Sequence, residues 1–390
     1  MIPRRKDYLI GIMICTLGFL VTGCSSVADD APDVVLGTDG YISFSSSLSS
    51  NGDPSGEDAY NENRITALDI FLYNENAGED EAALLHYHET LTGEEQISAV
   101  KVPTRELAAL LSKGGTRFKT VAVANCSEVA TLDRSEMSLN RLRAIETGAD
   151  ASFRAATAPE AFVMHSLDKP VMVTVDKDGY GEKTYALNFK RLAAKIRVAL
   201  NVKENITDEN GVEWRPDVGA MRLYISNGVG TSRLDGDLLR EIPGQSDYYN
   251  ISVSENMDTE DDGFARALTY HEANYLSGKK DVTYLYYNDI PYYTYPNEWS
   301  SGSTAEHRTS LVVVIPWIGE NGSDGSEIYQ PTYYIIPVNN DGTIVSDTFY
   351  YLRVRIETMG SRQYNAPIQA NALYMKVSQW IIYDNDVVLW

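Results

Sequence analysis

The chain has 390 residues, a formal charge of −22 at pH 7, 43% apolar residues and three cysteines. So strong an acidic balance argues against nucleic acid as a partner, because a polyanion is repelled. The cysteines Cys15, Cys24 and Cys126 are too few for a disulfide framework, while the apolar content is enough to build the cores of two domains.

In chain order, Arg4, Arg5 and Lys6 form a positive start, and 8–19 is an apolar run too short for a comfortable bilayer span of about 20 residues. That pattern is a secretory signal. It stops at Val21-Thr22-Gly23-Cys24, which resembles a bacterial lipobox, so residues 1–23 read as a lipoprotein signal peptide and Cys24 as the lipidated (palmitate-bearing) first mature residue. The alternative is an ordinary signal peptide in which Cys24 stands by chance. Acyl chains on Cys24 would anchor the protein stably, at about 0.8 kcal/mol per buried methylene. Residues 24–40, with their acidic stretch, read as a tether, and 51–63, rich in Gly, Asp, Glu, Asn and Pro, as an exposed loop.

Beyond the tether, short alternating or β-branched runs recur at 41–44, 68–73, 121–123, 171–175, 194–202, 221–225, 311–315, 333–338, 350–356, 373–377 and 380–383. This spacing predicts an all-β fold of sandwiches or barrels. Turn chemistry places a hairpin at Asp176-Lys177-Asp178-Gly179, between 171–175 and 184–189, and another turn at Asn339-Asn340-Asp341-Gly342. Two helices are expected: 105–112, capped by Thr104 with Leu107, Leu110 and Leu111 on one face, and 136–146, capped by Ser135. Cys126, at the end of the 121–125 run, reads as a small buried apolar residue rather than a reactive thiol. A boundary falls near 187–191, giving an N-terminal domain over 41–188 and a C-terminal one over 189–390.

Signs of chemistry are sparse, and no catalytic machinery, cofactor or metal is expected. His86 and His88 share one side of a strand beside Glu89, which could bind a metal or simply form a polar strand face. The run 258–263 opens like a calcium loop, but Thr269 stands where a closing Glu is needed. No phosphate cradle, nucleophile elbow or HExxH motif is present. Among the 26 tyrosines a dense patch over 284–295, followed by Trp299, offers rings that can stack on sugars, with Tyr286, Tyr287, Tyr292 and Trp299 as possible glycan contacts. The same rings suit packing or subunit contact.

Four segments in order, ITALDIFLYN (65–74), FKTVAVAN (118–125), FKRLAAKIRVALNV (189–202) and YMKVSQWIIYDNDVVLW (374–390), resemble the fimbrillin superfamily of Bacteroidales-type (type V) pili, major and minor fimbrillins included. The resemblance implies two tandem transthyretin-like β-sandwich domains and a structural subunit, not an enzyme, supporting adhesion or biofilm. It implies export as a lipoprotein precursor to the outer membrane and cell surface, and removal of a leader strand by an Arg-specific protease. A strand from another pilin copy then enters the vacated groove. On this chain the leader maps to 41–48, with Ile42, Phe44 and Leu48 facing the core. The donor maps to 373–390, with Leu373, Met375, Val377, Trp380, Ile382 and Trp390. Both have a plainer alternative, a permanent first strand and a tail that closes its own sheet. The chain departs from the family's pattern at the processing site: no Lys or Arg occurs over 25–63, and the first is Arg64. A stalk subunit, a lipid-retaining anchor or tip adhesin, and an unrelated glycan-binding surface lipoprotein all stay open.

Overall fold

A computed structural model of the chain describes residues 40–48, 62–91, 97–111, 116–133, 136–148, 161–235, 248–249, 266–267, 284–297, 308–320, 322–339, 343–362 and 372–379. Residues 1–23, read above as a signal peptide, and Cys24, Ser135, Trp299 and the 258–263 run lie outside them. All the described residues belong to one packed unit.

The first nine strands are β1 (Tyr41–Leu48), β2 (Ala67–Asn74), β3 (Leu85–Thr90), β4 (Ala99–Pro103), β5 (Thr116–Ala124), β6 (Glu146–Gly148), β7 (Met164–His165), β8 (Val171–Val175) and β9 (Tyr185–Arg191). Eight of them join one sheet in the order β3-β2-β5-β7-β9-β1-β4, with β8 on β5. Strand alternation explains the packing of β2: Leu68, Ile70 and Leu72 enter a core with Ile42, Phe44, Val102 and Leu187, while Phe71 and Tyr73 enter a second one on the other side.

The later strands are β10 (Ala194–Lys203), β11 (Ile206–Thr207), β12 (Glu213–Pro216), β13 (Arg222–Ser226), β14 (Gly228–Val229), β15 (Thr231–Arg233), β16 (Tyr248–Tyr249), β17 (Arg266–Ala267), β18 (Tyr284–Thr294), β19 (Ser310–Glu320), β20 (Glu327–Pro337), β21 (Thr348–Ile356) and β22 (Ala372–Gln379). One sheet runs β18-β10-β21-β22 and another β11-β12-β19-β13-β17, with β20 on β19. Between them lie Ile196, Val198 and Leu200 from β10, Leu223 and Ile225 from β13, and Trp317 from β19. Trp317 is fully buried, and its indole N–H donates to Thr332 Oγ1 at 2.9 Å, so the ring's one polar atom is satisfied. The all-β expectation with a few short helices therefore holds.

Several local expectations are corrected. The predicted 105–112 helix shortens to a 3-10 turn over Arg105–Leu107 and α1 over Ala108–Leu111. Thr104 does not cap it, because its hydroxyl donates to the Gly179 carbonyl instead, and Leu110 faces solvent while Leu107 and Leu111 are buried. A short α2 spans Ser127–Ala130, and the second predicted helix is α3, Leu139–Arg143, capped by Ser138. The 176–179 turn forms as expected, with Asp176 Oδ1 accepting from the backbone N–H of Asp178 and Tyr180 and Gly179 at φ +89°. Antiparallel pairing begins across it, with Val175 bridging Gly181 and the Glu182 N–H donating to the Thr174 carbonyl, but the expected ladder between 171–175 and 184–189 does not follow: β8 lies on β5, and β9 between β7 and β1. Of the 339–342 turn only Asn339 is described, its amide donating to the Thr343 carbonyl.

Candidate strand-exchange and processing site

β1 is an interior strand, antiparallel to β4 from Tyr41↔Pro103 to Ser45↔Ala99 and parallel to β9 from Phe44↔Tyr185 to Leu48↔Phe189. Its Ile42 and Phe44 are 0% exposed, as the sequence predicts. The side chain of Leu48 lies outside the described residues. Close backbone approach seats the strand's start: a Cβ on Gly40 would stand 2.2 Å from the Gly179 carbonyl carbon, so only glycine fits. Removing β1 would unpair one edge of β9 and the whole of β4, and would empty the pocket that Ile42 and Phe44 fill.

Arg64 lies immediately before β2 and is half-buried. Asn125, at the end of β5 with φ +57°, clasps this stretch with one amide. Its Oδ1 accepts from the N–H of Thr66 and Ala67, and its Nδ2 donates to the carbonyls of Arg64 and Phe162, both at 2.8 Å. Two residues earlier, Glu62 is buried among groups from far along the chain. Lys195 Nζ lies 2.6 Å from Glu62 Oε1, and the Tyr293 hydroxyl donates to the same oxygen at 2.6 Å. Arg191 donates through Nε to the Glu62 carbonyl at 3.0 Å, and through its terminal nitrogens to Asn63 Oδ1 and Asp347 Oδ1. Burial pushes the Asp347 carboxyl above its ordinary range, with Arg191 opposing. Around this ionic cluster a single apolar core takes Phe71, Val121 and Phe162 from before residue 190 and Val229, Tyr293, Tyr295 and Phe349 from after it.

Sequence reasoning missed Glu62, Arg191 and Lys195. Lys195 alternates with Ile196 and Val198 as any solvent-facing strand residue would, and nothing local marks its distant carboxylate partner. Asn125 was within the quoted FKTVAVAN segment, although its function as a clasp was not legible there.

At the other end of the chain, β22 is an edge strand antiparallel to β21, with Met375↔Leu352 and Val377↔Tyr350. In the lone chain this stretch thus closes its own sheet. The side chains of Leu373, Met375 and Val377, and the whole of Trp380, Ile382 and Trp390, lie outside the described residues.

The tyrosine patch divides. Tyr286 and Tyr287 stand opposite Asn201 and Leu200 in the β18–β10 register, with side chains outside the described residues. Tyr292 is no surface ring: it faces the C-terminal core, 2% exposed, and its hydroxyl donates to the Leu223 carbonyl at 3.0 Å, which removes it as a sugar contact. His86 and His88 both bond Asp69 Oδ1, at 2.7 and 2.8 Å, and His86 stacks on Phe71. Among the described residues no group of three His, Cys, Asp or Glu side chains is arranged to hold a metal. Cys126 is buried as expected, and burial, aided by Glu128, pushes its thiol up to about 12.

His165 is a further buried titratable group. Burial first, then Lys190 and Arg143, hold it down at about 4 against an opposing pull from Asp168. The folded state therefore binds fewer protons than the unfolded chain between pH 6.5 and 4, and stability is full above 6.5 and falls as pH drops through that window. Urea titrations should show up to about 3 kcal/mol lost from this side chain by pH 4. In His165→Gln that part of the slope should vanish; an unchanged slope would refute the assignment.

Set beside known proteins, the chain shares the β fold of two bacterial proteins assigned to cell adhesion. A protein assigned to cell adhesion from Bacteroides eggerthii superposes with a TM-score of 0.53 at 16% identity, over 87% of this chain and 95% of that one. Another so assigned, from Parabacteroides distasonis, gives 0.54 at 15% identity over 88% and 98%. More particularly, residues 41–213 match the family model of the major fimbrial subunit protein (FimA), and over that stretch the fimbrillin resemblance read from the sequence is borne out. None of the curated proteins matches.

Proposed function

We propose that the chain is a structural subunit of surface fimbriae, exported as a lipoprotein precursor lipidated at Cys24 and joined to other pilin copies by strand exchange, in support of adhesion. The observation that carries this reading is the position of β1, an interior strand inserted between β4 and β9 with two fully buried side chains. A strand held in that way leaves, when it goes, a row of unpaired backbone groups over an apolar slot, which is the receptor for β-augmentation. The edge strand β22 suits the donor role, since among the described residues its one strand pairing is with β21. Removal of the leader by an Arg-specific protease at Arg64 completes the scheme. A domain division just after β9, rather than at 188/189 where it would cut that strand, fits the ladders: among the described residues, the β6–β15 pair alone joins strands from its two sides.

An anchor subunit that keeps its lipid and its leader is the second reading, favoured by the enclosed setting of Arg64. A gel of unboiled surface extract from producing cells separates these readings. The stalk reading expects a ladder of denaturant-resistant multimers that disappears when 373–390 are deleted. Monomer alone in both lanes would refute the stalk assignment.

A further inference from the structure

The Arg64–Ile65 bond is the place where the leader could be parted from the body, and it is closed from both sides. On the leader side Glu62 is 3% exposed and engaged by Lys195, Tyr293 and Arg191. On the body side Ile65 is 1% exposed, and its carbonyl accepts from the Ile97 N–H at 2.7 Å. The Arg64 carbonyl, which a protease would have to attack, is taken by Asn125 Nδ2. A protease needs several residues around the cut drawn out and exposed, so cleavage waits on local opening and follows the population of the open form.

We propose that Arg191, Lys195 and Tyr293 form a latch on the processing site, so that the folded chain withholds Arg64 from protease until Glu62 leaves Lys195. These groups come from the end of β9, from β10 and from β18, far from Glu62 in sequence. The latch therefore closes only when that later part of the chain has folded onto residues 62–65. A chain still unfolded there exposes Arg64, whereas the completed fold keeps its leader and a filled slot. The consequence for fibre assembly rests on the fimbrial reading; the latch itself does not.

The test uses the full chain purified in detergent, treated with trypsin and followed by intact mass for a new terminus at Ile65, beside a synthetic peptide of residues 58–70. The bond in the folded chain should be cut at least about a hundredfold more slowly than in the peptide, and Glu62→Gln should raise its rate by about tenfold or more. Tyr293→Phe keeps the ring in its core and removes the hydroxyl bond to Glu62. It should accelerate cutting about threefold or more, and it decides the matter if Glu62→Gln does not fold. Equal rates in folded chain and peptide, or unaltered rates in the folded variants, would overturn the latch. Because the assay reads one peptide bond and no filament, a chain that resists at Arg64 yet never enters a fibre would sink the fimbrial reading and leave the latch standing.

Discussion

Deleting residues 41–48 should abolish the stable monomer, and a synthetic peptide of residues 40–48 should restore it. Two side chains, Ile42 and Phe44, are lost from full burial, at about 1.5–3 kcal/mol each. The ladders to β4 and β9 are lost with them. Together these losses rival the total stability of an ordinary domain, about 5–15 kcal/mol. They also leave an adhesive edge, since β4 pairs with no other strand among the described residues. The shortened chain should then elute as aggregates or strand-swapped oligomers by light scattering, and added peptide should return it to monomer while a scrambled peptide does not. A peptide of 373–390 should compete for the same slot if the tail is the donor. A shortened chain that stays monomeric, melts as before and ignores both peptides would show that the slot is no receptor.

How much of this was legible in advance depends on the range of the interaction. The strands were readable because alternation is a local property: Ala194, Ile196, Val198, Leu200 and Val202 face one core in the order that their spacing dictates. The turn at 176–179 was readable for the same reason, since Asp176 bonds the N–H groups two and four residues on. The failures share a longer range. Thr104 has the chemistry of a cap, yet its hydroxyl goes to Gly179, brought close by the seating of β1. Tyr292 looks like a surface aromatic within its patch, but alternation along β18 turns it toward Leu223. The buried ion pair of Glu62 and Lys195 leaves no trace in sequence, because either residue alone is an ordinary surface charge.

Arg191→Met should be among the most destabilising single changes in the chain, and its cost should depend on pH. The substitution keeps an unbranched apolar stem, which limits the packing loss. It takes away the guanidinium that donates to the Glu62 carbonyl, Asn63 and Asp347 at a site 5% exposed. Breaking one side of a buried charge pair typically costs about 3–5 kcal/mol, much of it from the partner left in a poor environment. Here that partner is Asp347, whose carboxyl burial already raises above its unfolded value of 3.8 against the pull of Arg191. Without the guanidinium it should rise further. A carboxyl with a raised folded pKa binds more protons in the native state, so its contribution is fully present below 3.8 and is lost as pH climbs through the folded value. The deficit of the variant should therefore be smallest near pH 4, where only the lost bonds to residues 62 and 63 count, and grow toward neutrality in urea titrations at several pH values. A deficit of the same size throughout would mean that Arg191 acts through packing and its bonds to residues 62 and 63, with Asp347 a bystander. The pH profile thus separates the two ends of one guanidinium, the end that grips residues 62 and 63 and the end that neutralises Asp347 at the start of β21.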